Sequence, residues 1–501
     1  MIRSTTSALV AIFLTATQAF AQAEAPLTVA AQFEIQGAEP STSGYVFTRM
    51  GITETLVNAD AQGRLTPGLA TEWAVSDDNL TWRFTLRQGV VFHDGTPMDA
   101  DAVVKALTIA MGKPGSLASL PIEGIAAGDG AVVIRLREPR AALPAYLAEF
   151  GTQIMAPAAY GDDGQARDVI GTGPYRVTDF APPLSLDATA FDGYWGAQPF
   201  IADVAYDAVS RVETRALMAQ SGDADVVFGL DPASVARLGM SDAVKVHSVA
   251  IPRTLLLKVN AGHPALSQPE ARRALSLAID RQGIAQAVLR YPEGADQLFP
   301  PSVAGWHNDD IEPLAYDPAA AAQLLAGLGW VKGDDGILTR DGERFALTLT
   351  TYPDRPELPL IAAVLEQQFR QIGVELTINA TNSSEIPAGH QDGSLDLGLI
   401  ARNFSLIPDP IGTVISDYAP TGDWGAMNWE NPAFVDLVKG IARDGGTDAD
   451  RAEAVRILQS DLPVIPIAWY QQTLAAASDL RGVTVDPFER SFGLQDLQRS
   501  E

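Results

Sequence analysis

Residues 393–404 read Gly-Ser-Leu-Asp-Leu-Gly-Leu-Ile-Ala-Arg-Asn-Phe, and Leu395, Leu397 and Leu399 alternate with small or polar residues. A period of two marks a β-strand, whose successive side chains point to opposite faces. Upstream, Phe345, Leu347 and Leu349 alternate with Ala346, Thr348 and Thr350. Between these runs Ile361, Leu365, Phe369 and Ile372 form one apolar helical stripe, Gly373 supplies a stop, and Val374, Leu376 and Ile378 alternate again. Strand, helix and strand at this spacing predict a βαβ unit and therefore a largely parallel sheet. Ligands of open parallel sheets sit beyond the carboxyl ends of the strands. Arg402, Asn403 and Phe404 occupy that place and are the first candidate binding residues.

A shorter copy of the pattern lies earlier. Val204 and Tyr206 read as a strand, Ser210 and Glu213 as a capping box opening a helix to about Gln220. The run Gly222–Phe228 then echoes Gly393–Leu399 as Gly-x-x-Asp followed by apolar residues. Two α/β lobes facing a shared cleft are expected. Beyond a first strand at Leu27 and Val29, Tyr45, Phe47 and Arg49 are candidates to line that cleft, the alternative being that the two aromatics belong to the core.

A chain of 501 residues exceeds one hydrophobic core, so two or three lobes are expected. With 47% hydrophobic and 19% charged residues it reads as globular. A formal charge of −27 argues against nucleic acid or an anionic membrane as partner. Arg3, the short apolar run Ala8–Ala16 and Ala19-Phe20-Ala21 read as an export signal over residues 1–21. With no cysteine, disulfides, thiolate metal sites and an N-terminal lipid anchor are excluded. These features predict a protein exported to a bacterial periplasm.

Several motifs taken together resemble those of the family 5 extracellular solute-binding proteins, the receptors of peptide- and nickel-type ABC importers. They are Pro67–Trp73, Thr81–Arg87 and Gly89–Pro97, then Gly171–Tyr175, Tyr194-Trp195-Gly196, Arg273-Ala274-Leu275 with Ala278-Ile279-Asp280, and Tyr316-Asp317-Pro318 with Gly329-Trp330. The resemblance implies an α/β, two-lobed periplasmic binding protein with a central cleft, a hinge and mixed, mostly parallel sheets. It implies one lobe over residues 22–250 with a β-rich subdomain, a second over 251–470, and a return to the first over 471–501. The chain would cross between lobes near Ile251–Val259 and Ile467–Gln472, both apolar and extended.

No reaction centre is visible. The five histidines are scattered, and neither HExxH, GxSxG nor Ser-x-x-Lys occurs. The expected function is a periplasmic receptor, not an enzyme and without a cofactor. It would act as a monomer that captures a small peptide-like molecule or a metal (nickel-type) chelate and delivers it to an inner-membrane ABC permease. An exported hydrolase and a sensory or chaperone-like receptor on the same fold are the alternatives. In peptide-binding relatives an aspartate precedes the Asp-Pro step; here Leu406 stands in that place before Asp409-Pro410. Against the chelate-binding relatives Arg402 matches in phase, Phe404 replaces a tryptophan, and Gln153 falls where an arginine contacts chelate carboxylates. Trp424 is a further candidate cleft aromatic. Arg402 offers a rigid two-point fork for a carboxylate, the alternative being a salt bridge to an aspartate such as Asp409.

Overall fold

The computed structural model describes residues 25–353, 355–404, 407–419 and 422–500. The export signal and Leu406 therefore lie outside the described residues. The predicted βαβ unit forms as read. Ala346–Thr351 runs parallel to both Glu375–Ala380 and Leu397–Asn403. The helix Glu357–Gln371 buries Leu358, Ile361, Leu365 and Phe369, and Gly373 follows in the left-handed region at φ +83°. The earlier copy is also present, with Leu27–Ala31 parallel to Asp203–Ala208 and to Val226–Phe228.

Two long strands join these units. Val244–Val259 and Val464–Ala477 pair antiparallel along almost their whole length. One end of the returning strand continues onto Val226–Phe228, and the outgoing strand continues onto Leu397–Asn403. A single ten-stranded sheet thus runs through the molecule. It is mixed: parallel pairing is confined to the strands inside each unit, whereas the crossing strands and the outer strands Ser185–Ala190 and Tyr175–Ala181 pair antiparallel. The expectation of mostly parallel sheets holds for the βαβ cores and not for the sheet as a whole, because a chain that crosses and returns must pair with itself in opposite directions.

Three main cores follow. One spans Leu255 to Ala468. Another combines Leu27–Phe228 positions with Leu474, Phe492, Leu494 and Leu497, so the chain end packs on the first strands. The third lies under a four-stranded antiparallel sheet, Ala70–Val75, Thr81–Leu86, Ala131–Leu136 and Ile122–Gly128, with the helix Ala100–Met111 against it.

Helix starts test the local reading. Asp99, Asp317 and Asn431 each accept a backbone N–H three residues on, as side chains of these types do at an N-cap. The Ser210/Glu213 capping box does not form, because the helix starts one residue later, with Arg211 at the cap. Ser267 and Glu270 have the same spacing, and there too the cap falls one residue later, at Gln268 ahead of Pro269. A reciprocal box does occur at Thr447 and Asp450.

His93 ties two loops of the first lobe together. Its Nε2 lies 3.0 Å from the Gly173 carbonyl, and the Gly171 N–H donates to its Nδ1 at 3.2 Å. Both ring nitrogens are thereby satisfied in the neutral form, and burial pushes the pKa from 6.5 down to about 4. A depressed folded-state value means that the native form binds fewer protons than the unfolded chain. The contribution is complete above pH 6.5 and is lost as pH falls towards 4. Urea unfolding across that window is expected to show a loss on the order of 3 kcal/mol from this residue, and His93→Gln, which cannot titrate, a correspondingly shallower slope.

Candidate functional site

Where the crossing strands slip in register, a cavity opens. Gln471 faces Ala250 and Trp469 faces Thr254, so Ile251, Pro252 and Arg253 stand opposite Tyr470 alone. Extra residues on one strand bend it and re-aim side chains, as a bulge does. Tyr470 and Arg253 reach the wall of a cavity of ≈ 1240 Å³. Drug-sized sites run to about 1,000 Å³, so this one holds a short peptide or a chelate together with water.

Arg253 and Arg355 both lie against the Tyr470 ring, 5.3 and 5.4 Å from its centroid, and Tyr291 meets that ring edge-on at 6.2 Å. Arg355 stands just ahead of the helix Glu357–Gln371, beyond the carboxyl end of Ala346–Thr351, where a parallel strand delivers its ligand residues. Arg290 lines the same cavity, from the end of the π-helical turn Ile284–Leu289, in the left-handed region at φ 60°. A non-glycine residue held there is a strained position of the kind that clusters at ligand sites.

The opposite wall comes from the helix Pro40–Arg49 and the chain end. Arg49 lies over Phe33 and Tyr45 at 5.0 and 5.7 Å and donates through Nε to the Glu489 carbonyl. The Glu489 carboxylate reaches Arg253 at 3.4 Å, linking the two walls. Deeper, burial pushes Glu54 up to about 7 against hydrogen bonds from Thr172, Trp195 and Tyr194.

Of the residues singled out from sequence, the structure brings Tyr45, Arg49 and Asn403 to this cavity. Tyr45 and Arg49 are four apart on one helix and share a face. Phe47 is on the other side, fully buried against Phe180. The strand Leu397–Asn403 continues past the predicted tip, so Arg402 and Phe404 point away from the face that carries Asn403. Arg402 makes a two-point salt bridge to Asp417, at 2.5 and 2.7 Å; Asp409 instead accepts the Ile411 N–H. Phe404 is 1% exposed and packs on Phe299. Gln153 is 2% exposed behind the helix Pro40–Arg49, held by Thr53 and donating to the Phe150 carbonyl. Trp424 packs on the core that spans Leu255 to Ala468. Sequence reading missed Arg253, Tyr291, Arg355, Tyr470 and Glu489. The available signal was Pro252-Arg253 interrupting an apolar crossing run, and Arg355-Pro356 between a strand and a helix. Among the described residues no three His, Asp or Glu side chains converge as a metal site.

Two α/β units on one sheet, with a cavity at the crossing, define a two-lobed binding protein. The model of bacterial extracellular solute-binding proteins, family 5, matches residues 64–424, and the chain belongs to that family. It is 26% identical over 399 residues to the nickel-binding periplasmic protein of Escherichia coli K12, covering 76% of this chain and 75% of that one. It is 28% identical over 458 residues to a glutathione-binding protein of Salmonella typhimurium LT2, covering 85% of each. The crystal structure of a nickel ABC transporter protein from Bacillus halodurans superposes with a TM-score of 0.84 at 25% identity, covering 94% of this chain and 99% of that one.

Removing the Arg402 guanidinium leaves the Asp417 carboxylate, 1% exposed, without its charge partner. Breaking such a pair costs about 3 kcal/mol. Arg402→Ala is therefore expected to lower the urea midpoint markedly while leaving the yield of co-purifying small molecule per folded protein unchanged. A lost ligand with an unchanged midpoint would return Arg402 to the site.

Proposed function

We propose that this receptor works in the periplasm after removal of residues 1–21. It captures a small peptide-like molecule or a metal (nickel-type) chelate, and hands it as a monomer to the permease of an inner-membrane ABC importer. The lobes are residues 22–250 and 251–470, with 471–501 returning to the first. The names of the relatives support both ligand classes, and so does the chemistry of the cleft. Peptides and chelates share carboxylates, and a guanidinium fork pairs a carboxylate in two-point fashion.

The observation that carries the reading is the supply of such forks. Arg253 shares Glu489 with the opposite wall, while Arg290 and Arg355 have no salt-bridge partner among the described residues. The walls also meet at the rim, where the Ala304 N–H donates to the Gln62 carbonyl at 3.1 Å and the Ala141 N–H to that of Ala442 at 3.2 Å. A solute touching both walls favours this closed arrangement by its differential affinity alone. Moving from mostly open to mostly closed takes about 5.5 kcal/mol.

Mass spectrometry of material released by mild unfolding is expected to find a carboxylate-bearing compound at about one per chain. Calorimetry with that compound is expected to show Arg355→Ala binding at least tenfold more weakly, roughly 1.4 kcal/mol. Unaltered affinity, or a compound without an anionic group, would overturn this assignment of the cleft.

A further inference from the structure

Glu489 stands in the left-handed region at φ 55°, which a residue with a Cβ seldom adopts. The turn that holds it there is tied to itself. The Glu489 N–H donates to the Asp486 carbonyl at 3.0 Å, and the Asp486 carboxylate accepts from the N–H groups of Phe488 and Arg490. Arg490 in turn anchors the turn on the first lobe through Asn58 and the Ala59 carbonyl. The Glu489 carboxylate is thereby presented from the wall of the cavity, between two guanidiniums. One is Arg253 on the crossing strand, whose Nη2 lies 3.4 Å away. The other is Arg49, which donates through Nε to the Glu489 carbonyl. Burial lowers the Arg49 pKa, and Glu489 is the charge that most offsets this.

We propose that Glu489 is a built-in competitor for the solute. Before capture its carboxylate occupies Arg253; a captured solute pairs its own carboxylate with that guanidinium, and Glu489 turns back to Arg49. The contact sets affinity and selects among solutes, because only a carboxylate that engages Arg253 better than Glu489 does is retained. This rests on the reading above that the solute bears a carboxylate, and adds what that carboxylate must displace.

The simpler account is a permanent strut between the walls, kept when the cleft is loaded. The geometry fits a strut poorly. Among the described residues the Arg253 guanidinium makes one hydrogen bond, from Nη2, and its Nε and Nη1 have no partner. The 3.4 Å separation is long for a charge-assisted bond, ordinarily about 2.7–2.9 Å, and both side chains keep some exposure. Partly exposed pairs of this kind are weak. A solute carboxylate lying in line with the fork can use two donors at once, which Glu489 does not. Displacement also orphans nothing. Arg253 exchanges one carboxylate for another, and Glu489 keeps a cation beside it, since Arg49 is bound to the backbone of the same residue. The tied turn keeps the displaced carboxylate at the cavity wall, ready to return when the solute leaves.

The test uses full-length mature protein, stripped by mild unfolding and refolded, and the carboxylate-bearing compound that the unfolding releases. A crystal structure of wild type loaded with that compound is expected to show its carboxylate on Arg253 and the Glu489 carboxylate shifted to Arg49. Calorimetry is expected to show Glu489→Gln, with its urea midpoint checked against wild type, binding the compound about threefold more tightly or better. The loaded structure separates exchange from the mere loss of a negative charge, which would also tighten binding. A loaded wild type that keeps the Glu489–Arg253 contact overturns the proposal, and so does equal or weaker binding by Glu489→Gln. Either result leaves the receptor reading standing. Should the variant not fold, the loaded wild-type structure decides alone. Release of no carboxylate-bearing compound defeats the receptor reading, and the proposal falls with it.

Discussion

The antiparallel pairing of Val244–Val259 with Val464–Ala477 is the constraint on which the molecule depends. Buried backbone groups must find partners, so a strand pair running through both lobes welds them unless the ladder is interrupted. It is interrupted twice, once on each strand, and a proline sits beside each slip. Pro252 has no N–H to leave unpaired, and its carbonyl accepts from Phe404 at 2.7 Å. At the second slip Ile467 is passed over between Ala468 and Pro466, and its carbonyl is taken by the Ala295 N–H at 3.0 Å. The ladder therefore breaks without orphaning those groups. The first break also frees Tyr470 and Arg253 for the cavity, so the place where the sheet can flex and the place where a solute is felt coincide.

Charge has to be judged locally. A net charge of −27 gives no hint of a cleft lined by arginines. Nor is every arginine there available. Arg215 lines the cavity, yet its fork is saturated by the carbonyls of Val209, Ser210, Phe228 and Gly229. Arg272 and Arg281 are spent in the same way on backbone carbonyls of the second lobe. Lys258 is the extreme case, fully buried with Nζ at 2.6–2.9 Å from His390 Nδ1 and the carbonyls of Asp423 and Gly425. Burial lowers its pKa to about 7, and its bonds to the two carbonyls make it a clamp on the chain near Trp424. What distinguishes Arg290 and Arg355 is that neither has a salt-bridge partner among the described residues, Arg355 sharing only the Tyr470 hydroxyl and ring.

The same distinction explains which parts of the molecule were legible in the sequence. Hydrophobic period carries the βαβ units, because the Leu347/Leu349 and Leu397/Leu399 alternations and the Ile361–Phe369 stripe are dictated by burial on known faces. The crossing segments were expected from the family resemblance, and their apolar, extended character agrees with it. The site was harder. Ending the strand near Ile400 instead of at Asn403 put three neighbouring residues in one cleft, although strand alternation sends Arg402 and Phe404 to one face and Asn403 to the other. Phe47 parted from Tyr45 and Arg49 in a parallel way, since a helix separates positions two apart and brings positions four apart to one face. Arg355, Tyr470 and Glu489 come from distant parts of the chain, and only the register of the crossing strands brings them together. No local pattern records that register.

The strength of the link between the walls decides what closes the cleft. Arg253 and Glu489 are 3.4 Å apart and each side chain keeps 15–18% of its exposure, so the pair is neither tight nor dry. Pairs of this kind contribute about 1 kcal/mol or less. The two rim hydrogen bonds replace bonds to water and add about 1 kcal/mol each. These three polar links by themselves fall short of the roughly 5.5 kcal/mol that a decisive switch requires. A cleft that closed on its own contacts would shut out its solute and signal nothing. Polar links of this size leave a part of the decision to the solute, and Tyr470, touched by two arginines, stands at the break in the sheet where a bound solute meets the crossing strands.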